Sequence, residues 1–321
     1  MSKNKKGAVK LWVVFLIIFV VLVIGAGGAA AYYFYFRMTP EKIMQKAQTN
    51  LENLKSFRFD DKTTIKTTNS DSKNELANLD AKIEATGSIN ASDKNNQMLE
   101  SKIKLEIGSS GVSLNGLGEF KVLEHQLFFK LDEIPLVDMI FDKNTATQFN
   151  KEIKGKWFFE DTKNVAQSSG SNNNAQIIQE QIAKNKFWAS VESLKQEQVN
   201  GVNCYQFKVK MDKKAVADIV INSLKSMDEK LTSDEQNQIR DSINKSEDIY
   251  ATMWIGKKDY NVYKVKADIN DNQNNVSTSS EVVFSDHNKT IKIEKPANAL
   301  DFEATWKKIN KKQKIAPLLG L

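Results

Sequence analysis

Hydrophobic positions in this chain follow three patterns in turn. Leu11 to Phe36 is a run of 26 residues without a charge. About 20 mostly apolar helical residues cross the hydrocarbon core of a bilayer, so the run predicts a transmembrane helix over 11–36. It ends in Tyr32, Tyr33, Phe34, Tyr35 and Phe36, which suit a membrane–water interface. Lys3, Lys5, Lys6 and Lys10 precede it and Arg37 follows. That asymmetry predicts a cytoplasmic stub over 1–10, with the bulk of the chain extracytoplasmic. The expectation is a single-pass protein of the cell membrane. Ala29-Ala30-Ala31 also suits a signal peptidase, so cleavage after Ala31 is the alternative.

The second pattern is helical. Thr39-Pro40-Glu41 supplies an N-cap hydroxyl, a proline at the first helical position and an acid in the first turn. Ile43, Ala47, Leu51 and Leu54 then form one stripe.

The third pattern has period two. Phe57, Phe59, Thr63 and Ile65 alternate with Arg58, Asp60, Thr64 and Lys66. Ala81, Ile83, Ala85 and Ile89 repeat this, as do Ile103, Leu105 and Ile107, and further runs cover 112–123, 126–131 and 155–161. Alternation of this kind marks antiparallel strands with one wet face. Residues 162–176 are rich in Gln, Ser, Gly and Asn and read as a flexible loop. Ile178, Ile182, Phe187 and Trp188 follow in an expected short helix, a candidate flap over a cavity.

Alternation returns over 202–211. Asp212 then caps a stripe of Val216, Ile219, Val220, Leu224 and Met227, and Thr232 with Glu235 forms a capping box ahead of Ile239 and Ile243. Strands are expected again over 249–256, 260–270, 276–285 and 290–294. The order predicts an α+β fold in which helices cover one face of an antiparallel sheet. The exported domain spans 37–300, and 301–321 reads as a basic C-terminal tail.

Charge changes less than it promises. Of 46 basic residues, five lie in 1–37 and five in 307–321, which leaves 36 against 40 acidic residues in 38–306. The body is mildly acidic, so nucleic acid is not an expected partner. Cys204 is the only cysteine, which excludes an internal disulfide. Strand alternation puts it with Gln206 and Lys208, and predicts partial exposure.

Candidate chemistry is sparse. His125 and His287 are far apart and lack neighbours at metal-ligand spacing. Ser70–Lys73 and Ser242–Lys245 match S-x-x-K without its companion motifs. Asp268, Asn270 and Asn272 open like a calcium loop, but Gln273 stands where that loop needs glycine. No catalytic constellation, metal site or cofactor is expected.

Four segments carry a family resemblance: Leu54-Lys55-Ser56-Phe57; Gly155-Lys156-Trp157-Phe158-Phe159; Gly201-Val202-Asn203-Cys204-Tyr205-Gln206-Phe207; and Met253-Trp254-Ile255-Gly256-Lys257-Lys258-Asp259. Their order and spacing resemble the LolA-like group, especially lipoproteins of the LppX and LprG type, over about residues 40–300. The resemblance implies a strongly curved antiparallel half-barrel with helices on its concave face, and a cavity for acyl chains of lipids or lipoproteins. Those relatives are lipidated on cysteine or soluble, whereas this chain carries a peptide anchor.

The expected function is thus non-catalytic binding of a lipid or acyl chain, with membrane lipid or a lipidated molecule as partner. Candidate cavity residues are Phe57, Phe59, Ile83, Ile103, Leu105, Phe129, Trp157, Phe207 and Trp254. The alternatives are an envelope interaction domain with a closed core, using an envelope protein as partner, and an envelope sensor.

Overall fold

The computed structural model describes residues 39–67, 78–93, 96–109, 112–124, 126–134, 143–161, 186–226, 231–271 and 275–313. The expected span 11–36, the loop 162–176, Ile178, Ile182, His125 and Ser70–Lys73 lie outside them. Among the described residues no helix is long and apolar enough to cross a membrane.

Helix α1 (Pro40–Glu52) begins where the cap predicts, with the Thr39 hydroxyl accepting from the Lys42 amide at 3.4 Å. Strands β1 (Ser56–Thr67), β2 (Asp80–Asn90), β3 (Met98–Ser109), β4 (Val112–Leu123) and β5 (Gln126–Glu133) follow as a meander. Helix α2 (Lys143–Ile153) leads into β6 (Trp157–Asp161). Then come β7 (Trp188–Val199), β8 (Val202–Met211), α3 (Lys213–Ser226) and α4 (Ser233–Lys245). Strands β9 (Tyr250–Gly256), β10 (Val262–Asp271) and β11 (Val276–Ser285) close the sheet, and β12 (Leu300–Asp301) and α5 (Phe302–Gln313) end the described chain.

All strands join one open sheet in the order β12-β6-β5-β4-β3-β2-β1-β11-β10-β9-β8-β7. Every neighbouring pair is antiparallel except β12 with β6. Directly paired residues share a face, so the register assigns each side chain. Phe57, Phe207, Val209, Met253, Val265, Val282 and Phe284 lie on one face, where they bury against Ile43, Met44, Ala47 and Leu51 of α1, Ile219 and Val220 of α3, and Ile239 and Ile243 of α4. At the opposite end of the sheet, Phe129, Leu131 and Phe158 pack on the same face against Ile153 and Phe149 of α2 and Phe302, Trp306 and Ile309 of α5. Helices therefore cover both ends of one face, here termed the helix face.

The other face is wet. Lys104, Glu84, Lys62, Glu281 and Lys266 stand side by side across five strands, so that charge alternates from strand to strand. Opposite charges directly across a ladder are favourable, by about 0.2–1 kcal/mol per pair.

Several expectations are corrected. No strand forms over 290–294; the segment is an extended strap without ladder pairing, although Ile291 and Ile293 are buried. The segment read as a tail begins with β12 and α5, and Ile309 is buried. Phe187 and Trp188 are not helical: Phe187 precedes β7 and Trp188 starts it. Strand β7 and helix α2 had no counterpart in the sequence pattern. Cys204 is fully buried, in a small solvent-face cluster with Val199 and Trp254.

Candidate functional site

The two covered ends leave the middle of the helix face. Ile83, Ala85 and Ile89 on β2, Leu99, Ile103 and Leu105 on β3, and Leu114, Phe120 and Val122 on β4 all point to this face, and all are half-buried. Leu99, Ile103, Leu105, Leu114, Phe120 and Val122 belong to none of the clusters packed among the described residues. Gly116 and Gly118 on β4 add no side chain, and Ser101 of β3 lies buried on the same face. The result is an apolar strip about 10 Å across from β2 to β4, at roughly 4.8 Å per strand. It is bounded by the main core on one side and the α2–α5 cluster on the other.

Phe59 forms the boundary toward the main core. It pairs with Gly87, and its ring lies across that glycine: a Cβ there would stand 2.7 Å from the ring. Toward the free ends of the strands, Ile83 and Ile107 pack on Ile65 and Ala81.

Among the described residues one buried charged side chain, Asp61, lies on this face. The row through Phe207, Met253, Val265, Val282, Asp61, Ala85, Ile103, Gly118 and Leu131 crosses nine strands and contains a single polar side chain. Asp61 is 1 % exposed. Its carboxylate accepts from the Thr63 hydroxyl at 3.2 Å and the Ser280 hydroxyl at 3.3 Å. Burial pushes its pKa up to about 6, against the opposing effect of those two hydrogen bonds. No basic side chain pairs with it among the described residues. An acid at position 61 interrupts the alternation of Phe57, Phe59 and Thr63, and that interruption was the signal available in the sequence.

The register divides the nine expected cavity residues. Ile103 and Leu105 lie in the strip, and Phe59 and Ile83 at its borders. Phe57 and Phe207 are buried in the main core, and Phe129 packs with Phe158 and Phe302. Trp157 and Trp254 lie on the solvent face, contrary to the single inward set. Trp157 pairs with Lys130, which with Lys121 lies over its ring. Trp254 donates from Nε1 to Glu197 at 3.0 Å, beneath Lys264. Of the flap candidates, Phe187 and Trp188 are buried in the main core with rings 4.7 Å apart.

An open basin of about 660 Å³ is lined mainly from the solvent face, where Arg58, Lys62, Lys102 and Lys121 balance Asp60, Glu100, Glu119 and Glu281, and it also touches Phe59, Gly87, Ser101 and Phe120. Its charges pair internally, as in Lys121–Glu100 at 3.4 Å, and through its rim, as in Arg58–Asp286 at 3.1 Å. A balanced, wet charge lattice is the ordinary outer surface of a one-sided sheet.

Other candidate chemistry dissolves into structure. His287 sets Nε2 against the Val262 carbonyl at 2.8 Å and its ring against Tyr263, and burial lowers its pKa. Asp268 accepts from Ser279 across a strand pair. Ser242 lies in α4. Among the described residues, no group of three or more His, Cys, Asp and Glu could hold a metal ion.

No family model matches the sequence, and no curated protein matches it. Among solved structures, the chain is similar to LprF from Mycobacterium bovis at 11% identity, covering 81% of this chain and 99% of that one, with a TM-score of 0.41. It is similar also to the Mycobacterium tuberculosis lipoprotein LppX at 13% identity, covering 78% of this chain and 96% of that one, with a TM-score of 0.36.

Proposed function

We propose that this protein is a membrane-anchored, extracytoplasmic binding protein for a lipid or acyl chain, and that it makes and breaks no bond. The observation that carries the reading is the apolar strip over β2, β3 and β4, left half-buried between two helix-covered clusters. Acyl chains laid on such a surface gain about 0.8 kcal/mol for each buried CH₂. Curvature of the sheet into a half-barrel would enclose them. The charge-free run 11–36 supports an anchor, and with it a protein that receives or presents ligand beside its own membrane.

The test is photo-crosslinking in cells. A benzophenone amino acid is placed at Ile103 or Leu105 of the full chain, with Lys102 as the solvent-face control. The expected result is an acyl-chain adduct, read by mass spectrometry, at 103 and 105 and not at 102. Adducts to protein alone at 103 and 105 would favour an envelope interaction domain and sink the proposal.

A further inference from the structure

Asp61 stands where the packed part of the helix face meets the half-buried strip. On one side it pairs with Val282, wholly buried in the main core; on the other it pairs with Ala85, half-buried at the strip. The two rows flanking it, through Phe59 and through Thr63, also carry no charged residue from the strip to the core. Its partners among the described residues are two hydroxyls, Thr63 and Ser280, held at 3.2 and 3.3 Å. A buried carboxylate with no cation beside it among the described residues is costly, and two hydroxyl donors leave two of the four acceptor sites of its two oxygens unfilled. Ala85, its partner on β2, is the strip residue beside it.

We infer that Asp61, with Thr63 and Ser280, is the headgroup site of the strip, and that it selects amphiphiles whose polar end donates hydrogen bonds, foremost an ammonium. The inference rests on the lipid-binding reading above. The carboxylate completes its unfilled acceptor sites with the N–H donors of the headgroup, and the ammonium supplies the missing positive charge. The hydrocarbon tail then runs over Ala85 and Ile103 toward Gly118, along the row that the register defines. A carboxylate-headed amphiphile of equal length meets like charge at Asp61 and is rejected.

The experiment uses the full-length chain in amphipol at pH 7.5 and three hexadecyl probes with a mid-chain diazirine, headed by ammonium, hydroxyl or carboxylate. Crosslinked peptides are mapped and the ammonium-to-carboxylate labelling ratio at β2–β4 is measured. The expected ratio is about tenfold for the native chain, the scale of one charge-assisted hydrogen bond. In Asp61→Asn, and in Asp61→Ser as a second variant, the ratio falls to about one while labelling of the strip persists, as loss of that single bond requires. A ratio within one preparation is insensitive to partial unfolding, which lowers both labels alike. An unchanged ratio in both variants overturns the headgroup site and leaves the strip standing. Absence of labelling at β2–β4 by all three probes overturns the site together with the lipid-binding reading.

Discussion

The ring of Phe59 reaches over Gly87 on the neighbouring strand, with Cζ and Cε1 2.7 and 2.9 Å from where any other residue would carry its Cβ. A Cβ at 87 would also meet the Glu100 carbonyl oxygen at 2.2 Å. The glycine is therefore a packing requirement. It lets one aromatic ring seal the seam between the main core and the open strip.

Gly87→Ala is expected to lower stability by about 1–3 kcal/mol, the usual cost of overpacking. Combining it with Phe59→Leu should recover part of that loss, because the smaller side chain vacates the space. Denaturant titration of the two single variants and the double variant measures the coupling; strictly additive losses would show that the ring and the glycine do not interact.

Asp61 makes stability depend on pH. Its pKa is raised by burial from 3.8 to about 6, so the folded state holds the proton more tightly than the unfolded chain. Stability from this group is fully present below about pH 4 and is lost as pH rises toward 6. Asp61→Asn should remove that slope and stabilise the protein at pH 7 by up to about 3 kcal/mol, the size of a two-unit shift. Melting curves at pH 4 and pH 7 read it directly, and a variant less stable than the native chain at pH 7 would contradict the argument.

Ile103→Asp places a charge on the strip without opening a core, since Ile103 belongs to no packed cluster. Stability should fall by about 1–2 kcal/mol, because the half-buried isoleucine loses its apolar burial, while labelling by hexadecyl probes should fall at least about tenfold, given the cost of desolvating a carboxylate against a tail. The control is Lys102→Asp on the solvent face, which should label as the native chain does.

Cys204 is buried, with its thiol donating to the Val202 carbonyl at 3.4 Å, and burial pushes its pKa up to about 11. At pH 8 the reactive thiolate is then a very small fraction. Iodoacetamide should leave the folded chain unmodified over hours and label it completely in denaturant. Rapid labelling of the folded chain would place the thiol at the surface.

Strand β7 shows why one element escaped the sequence. It is the free edge of the sheet, and most of its residues are exposed on both faces, so no alternation marks it. The legible signal was the turn that follows. Asn200 and Gly201 both have positive φ, 49° and 78°, in the two-residue hairpin to β8. Asn-Gly is the residue pair that such a turn favours. Trp157 and Trp254 failed for the opposite reason. Their strands alternate, but bulk suggested the buried face, and only the register puts them beneath lysines on the solvent face.

What the sequence determined by itself was local: the capped helix at Thr39, the capping box at Thr232, and the alternation that makes β1 to β4 and β8 to β11 one-sided strands. Those features depend on side chains a few residues apart, and the pattern records them. The tertiary structure decided which faces meet. Pairing of β1 with β11 brings Ser280 to Asp61 across a separation of 219 residues, and the α5 helix closes the far end of the sheet against α2 and β6. Whether an apolar strand face becomes core or an open strip depends on which helices reach it. Period two along a strand is the same in both cases.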